Sequence, residues 1–102
     1  MLKMRKYELS HHFSRLENLQ SEKTLTYCVL ENEDYTTISL ERTTPTNKYT
    51  ESCLLPGIDF AYAKNIAILL CENGFDISTW KELLDDMEVK YIVIKSNMSK
   101  IT

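Results

Sequence analysis

An α+β fold, a mostly antiparallel sheet of four or five strands with two helices packed on one face, is what three features of this sequence predict. Residues 24–31 and 35–42 are β-branched and aromatic runs of period two that flank a short polar bend. Apolar residues at helical spacing begin only after a Leu-Pro-Gly break at residues 55–57. Glycine and proline number only two each, too few for a barrel of many tight turns. The 102 residues suit one domain, which can bury about two-thirds of its unfolded surface without a metal or disulfide. The domain is expected over residues 1–95, with 96–102 as a frayed polar tail.

The N-terminal residues 4–20 admit two readings. Tyr7, Leu9, His11 and Phe13 alternate as a half-buried strand would, and this reading is preferred. Leu9, Phe13, Leu16 and Gln20 also approximate a helical stripe. After a polar turn, Thr24–Glu31 carries Leu25, Tyr27 and Val29 on one face and Thr26, Cys28 and Leu30 on the other, so it reads as a central strand. Tyr35–Arg42 alternates with Ile38 and Leu40 inward, completing an antiparallel hairpin. Thr43–Lys48 is a loop, and Tyr49–Leu55 a further strand.

Asp59 is suited to cap a helix over 59–73, with Ala63, Ile66, Ala67 and Leu70 as its buried stripe and Gly74 as its left-handed stop. A second helix over 79–87 has Thr79 and Glu82 at capping-box spacing, with Trp80, Leu83, Leu84 and Met87 on its apolar face. Asp85, Asp86 and Glu88 crowd its C-terminal end, where the helix dipole disfavours negative charge. Val89–Lys95 is the last strand. Its four adjacent apolar residues suit a central position, while Lys90 and Lys95 suit a guarded edge.

The pieces TYCVLE, YTTISLER, LLPGIDFAYAKNIAILLCENGFD and TWKELLDDM, in that order, resemble an uncharacterised family of small proteins of anaerobic Gram-positive bacteria, classed as a domain of unknown function. The resemblance spans residues 24–88. It implies the α+β fold and a cytoplasmic location, and carries no activity, cofactor or site residue. Where that family places Ser-Pro ahead of its second helix, this chain has Ile77-Ser78-Thr79.

Charge is unevenly placed. Lys3, Arg5, Lys6 and Arg15 against Glu8 give residues 1–15 a net +3, while the eight basic and fourteen acidic side chains of residues 16–102 give −6. The body repels a phosphate backbone, and only the N-terminal segment attracts one. No apolar run reaches the length of a membrane span, and no leader-like apolar stretch opens the sequence, so no membrane partner is expected. The odd, widely spaced set Cys28, Cys53 and Cys71 points to reduced, packed thiols in the cytoplasm.

Chemistry-bearing motifs are sparse. With only Gly57 and Gly74 there is no phosphate-cradling loop. His11 and His12 are adjacent and point apart, with no third ligand at zinc spacing. Neither a metal nor a cofactor is expected. A small enzyme using Cys53 with His11 or His12 ranks third among the readings, because no base lies near Cys53 in sequence. The compositional oddity is six tyrosines, a residue that suits half-buried positions and interfaces alike.

The sequence therefore favours a non-enzymatic protein–protein interaction or regulatory module, acting on a protein partner or by self-association. Its candidate contacts are Tyr35, Tyr49, Tyr91, Val93, Asp85 and Asp86. The alternative is a nucleic-acid-binding accessory protein that uses Lys3, Arg5, Lys6 and Arg15.

Overall fold

Strand β1 (Arg5–Phe13) resolves the N-terminal alternatives in favour of the extended reading. The computed structural model describes residues 4–13 and 22–100, and the side chains of all of these except 99 and 100. Leu16 and Gln20 of the helical stripe lie outside the described residues. The other elements are β2 (Lys23–Glu31), β3 (Thr36–Thr43), β4 (Asn47–Leu55), α1 (Phe60–Glu72), α2 (Trp80–Asp86) and β5 (Ile92–Lys100). The strands form one antiparallel meander in the order β1-β2-β3-β4-β5. The fold is thus the expected α+β arrangement of an antiparallel sheet and two helices, with five strands rather than four and with β2 inside the sheet.

Side-chain caps replace glycine in the turns. Between β2 and β3, the Asn32 carboxamide oxygen accepts from the N–H groups of Asp34 and Tyr35, both at 2.9 Å. Between β3 and β4, the Thr44 hydroxyl accepts from the N–H of Asn47 at 3.0 Å. Such local bonds reverse the chain without a left-handed residue. The second turn is tight enough that β4 begins at Asn47, two residues ahead of the expected Tyr49.

One sheet face is covered. Leu25, Tyr27 and Val29 of β2, Ile38 and Leu40 of β3, and Cys53 and Leu55 of β4 are sealed there. Helix α1 lies across β2, with β1 and β3 on either side, and inserts Ala63, Ile66, Ala67 and Leu70. Its two alanines leave room for that close approach. The Asp59 carboxylate caps it, accepting from the N–H of Tyr62 at 2.8 Å. At the other end Gly74, with φ of 64°, closes a Schellman motif through bonds from its own N–H to the Cys71 carbonyl and from Phe75 N–H to the Leu70 carbonyl.

Helix α2 differs from expectation at both ends. The Thr79 side chain makes no capping bond to the helix, so the expected capping box with Glu82 does not form. The preceding turn belongs instead to Asp76, whose carboxylate accepts from the N–H of Ile77 at 2.6 Å and whose carbonyl accepts from the N–H groups of Thr79 and Trp80. Only Trp80 and Leu84 are fully buried; Leu83 and Met87 pack at the margin. At the C-terminus a second Schellman motif forms, with Val89 N–H bonded to the Leu84 carbonyl and Glu88 N–H to the Asp85 carbonyl. The left-handed position is Glu88, φ 57°, a conformation glycine adopts without strain.

That motif also corrects the last strand. Val89, expected to begin it, is buried as the residue that closes the α2 cap, and β5 starts only at Ile92. It then continues through Lys100, which pairs with Asn47, so residues 96–100 are strand rather than frayed tail. The polar composition of 96–100 suits a two-sided solvated edge as well as it suits a tail. In the sheet order β5 is an edge strand.

Two stability outcomes follow. Ile66→Ala should cost about 2–5 kcal/mol in denaturant unfolding, because its side chain is sealed between helix and sheet. Glu88→Gly should gain about 0.5–1 kcal/mol by relieving the left-handed strain, and a loss would place that residue's role elsewhere.

Candidate interaction surface on the last strand

Eight large apolar side chains are exposed among the described residues, and Ile92, Val93, Ile94 and Met98 all belong to β5. Three of the four are more than half exposed: Ile92 at 53%, Ile94 at 53% and Met98 at 63%. Register explains why both faces of the strand are apolar. Val93 sits opposite Cys53 and Met98 opposite Tyr49, on the helix side of the sheet; Ile92 sits opposite Leu54, on the open side. Ser52 pairs with Lys95 and Cys53 with Val93, so Ile94 is the extra residue of a bulge. The helix-side pair is uncovered because α2 stops over β4. Its Trp80 indole N–H donates to Glu51 at 2.7 Å, and Lys81 reaches the same carboxylate at 3.3 Å.

On the open face Ile94 also lines a depression of about 250 Å³, together with Met4, Leu30, Tyr35 and Thr37. The apolar edge and the apolar end of the open face are therefore continuous. The rest of that face is a lattice of Thr, Ser and paired charges, with Ser10 bonded to Thr26 and Ser39 to Ser52.

The structure brings together most of the sequence-nominated contacts. Tyr49 bonds through its hydroxyl to Ser96 of β5 at 2.6 Å. Tyr91 leads into β5 beside Asp85; its desolvated position and the Asp85 carboxylate both push the phenol up from its ordinary value. Val93 lies within the strand, and Tyr35 reaches the same surface through the depression it shares with Ile94. Asp85 and Asp86 are exposed at the end of α2. Sequence reading missed Met4, Leu30 and Met98, and held Ile92 and Ile94 only as part of a β-prone run that suits an edge or a central strand. The only signal for that run was the adjacency of Ile92, Val93 and Ile94, which a central strand would also have shown.

The remaining candidates that the structure describes make contacts within the fold. Arg5 donates to Glu31 at 2.7 Å and stacks over Phe60, and Lys6 lies 3.5 Å from Glu8. Lys3 and Arg15 lie outside the described residues. His11 stacks on Phe13 and bonds the Cys71 carbonyl, and His12 bonds Thr24. Strands β2 and β3 separate Cys53 from both histidines, about 14 Å at ordinary strand spacing. Burial raises all three thiols, Cys53 to about 11 with Glu51 adding to the effect. At the end of the sheet, an open cleft of about 460 Å³ between the β2–β3 turn and Pro56-Gly57 is lined by Glu31, Glu33 and Asp34. No group of three metal-ligating side chains occurs among the described residues, and no helix among them is long and apolar enough to cross a membrane.

No family model, curated protein or solved structure matches the chain.

The thiols provide a check on this geometry. A colorimetric disulfide reagent at pH 7 should react slowly with the folded protein, because raised pKa values keep the thiolate fraction low, and rapidly once guanidinium unfolds it. Fast reaction of a folded-state thiol at pH 7 would reopen the nucleophile reading.

Proposed function

We propose that the protein is a non-enzymatic interaction module of the cytoplasm that works by presenting β5 to a protein partner. The observation that carries this reading is the concentration of exposed apolar side chains on one unpaired strand edge. A monomer normally scatters such side chains singly, and a long apolar edge is a hazard that chains keep short, bent or covered unless something pairs with it. Here the edge is nine residues long and apolar on both faces, and its bulge bends it without ending it. Tyr49 and Tyr91 flank it, supplying broad side chains with a polar tip, the type enriched at interfaces.

The nucleic-acid reading has weaker support. Arg5 and Lys6 would have to release carboxylate partners before meeting a phosphate.

A photo-crosslinking residue placed at position 94 in the native cell tests the proposal, with the same residue at exposed position 61 of α1 as control. A discrete protein adduct is expected from 94 and not from 61. It should disappear when Ile92 and Met98 become Thr, a change that keeps strand propensity. A folded variant that yields no adduct at 94, or equal adducts at both positions, would overturn the reading.

A further inference from the structure

The charge along β5 narrows the kind of partner. From Val89 to Thr102 the sequence carries Lys90, Lys95 and Lys100 and no Asp or Glu. Among the described residues neither Lys90 nor Lys95 makes an ion pair. The other sheet edge is arranged differently: on β1, Arg5 is bound to Glu31 and Lys6 to Glu8. Of the neighbouring carboxylates, Glu51, opposite Ser96, is already held by Trp80 and Lys81, and Asp85 stands at the start of the strand beside Tyr91. One edge of the sheet therefore pairs its own charges, while the other keeps Lys90 and Lys95 unpaired, with the exposed carboxylates of Asp85, Asp86 and Glu88 at the α2 end that precedes the strand.

We infer, resting on the interaction reading above, that β5 receives an extended segment of another protein as a sixth strand, one that alternates apolar side chains with Asp or Glu. Backbone pairing along an edge of about 30 Å supplies the attachment. Ile92 and Ile94 on the open side and Val93 and Met98 on the helix side give alternate partner side chains an apolar surface on either face. Lys90 and Lys95 select for carboxylates between them. A second copy of the chain is disfavoured by the same charges. Symmetric pairing of two β5 strands would set Lys90 and Lys95 against their copies with no Asp or Glu on either strand, and another copy's β1 offers no free carboxylate, its Glu8 being held by Lys6. The lysines thus exclude identical and basic strands while admitting an acidic one, which is specificity by repulsion.

Selection from a random dodecapeptide library on the immobilised chain tests this. The enriched peptides should alternate Val, Ile or Phe with Asp or Glu. A synthetic representative should lose about ten-fold in affinity to the Lys90→Glu, Lys95→Glu variant and weaken as salt rises. Backbone N-methylation at alternate residues of that peptide should abolish binding in one phase and leave the other unaffected, because an added strand bonds through one of its edges only. No enrichment, enriched peptides without acidic bias, or indifference to the charge reversal would overturn the inference. So would sedimentation showing a dimer that is lost in the Ile92→Thr, Met98→Thr variant, since the occupant would then be a second copy. A crosslink at position 94 to a partner segment that is not acidic would sink the charge selectivity alone and leave the interaction reading standing.

Discussion

Two helices cannot cover five strands, and the rest of the structure follows from that mismatch. A helix with its side chains is about 10 Å across and neighbouring strands lie about 4.8 Å apart, so each helix shields roughly two strands. Helix α1 lies over β1 to β3, and α2, only seven residues long, is tied to β4 through Trp80 and Glu51. Among the described residues no helix is left for β5. Its helix-side residues Val93 and Met98 stay exposed although they point to the same side of the sheet as the sealed Leu25 and Ile38. The exposed apolar surface arises where the covering layer runs out, with no dedicated element required to build it.

What holds the covering layer in place is the segment between the helices. The Tyr27 hydroxyl, deep in the sheet, donates to the Phe75 carbonyl at 2.7 Å. One residue further on, Asp76 accepts from Lys23 at 2.7 Å and lies 3.5 Å from Arg42, joining the segment to β2 and β3. Burial alone would raise the Asp76 carboxyl. The bonds from Lys23 and the Ile77 N–H, with the charges of Lys23 and Arg42, outweigh it and hold the group below its ordinary value. Charge-assisted bonds of this kind are short and directional, so they fix where α2 starts. With its start fixed by Asp76 and its end by the Glu88 turn, α2 has no slack with which to reach β5.

The pattern that reads well from sequence is the one in which a single face is buried. Leu25, Tyr27, Val29, Ile38 and Leu40 announce strands because their alternation reports one covered side. Ala63, Ile66, Ala67 and Leu70 announce α1 for the same reason, with Asp59 and Gly74 marking its ends. Legibility fails where burial is decided by distant parts of the chain. Thr79 and Glu82 have the spacing of a capping box, yet Asp76 organises that turn because it also reaches Lys23, more than fifty residues away. Ile92, Val93 and Ile94 are apolar on both faces, which in sequence cannot be told from a strand buried on both faces. Only the sheet order shows that these residues meet solvent.

The magnitudes weigh against indiscriminate pairing of the exposed apolar edge. Covering Ile92, Val93, Ile94 and Met98, each already about half shielded, offers on the order of 1 kcal/mol apiece. Association of two chains loses about 4–15 kcal/mol of translational and rotational freedom, so the apolar contacts alone do not hold a partner. A backbone ladder adds roughly 1 kcal/mol per bond, and only for a segment able to lie extended against the bulged strand. Lys90 and Lys95 then decide the sign of what remains, opposing a basic segment and favouring an acidic one by an amount that salt can screen. No one of these contributions suffices, and each rejects a different class of wrong partner. The proposed surface would therefore bind a matching strand reversibly and leave the bulk of other chains alone.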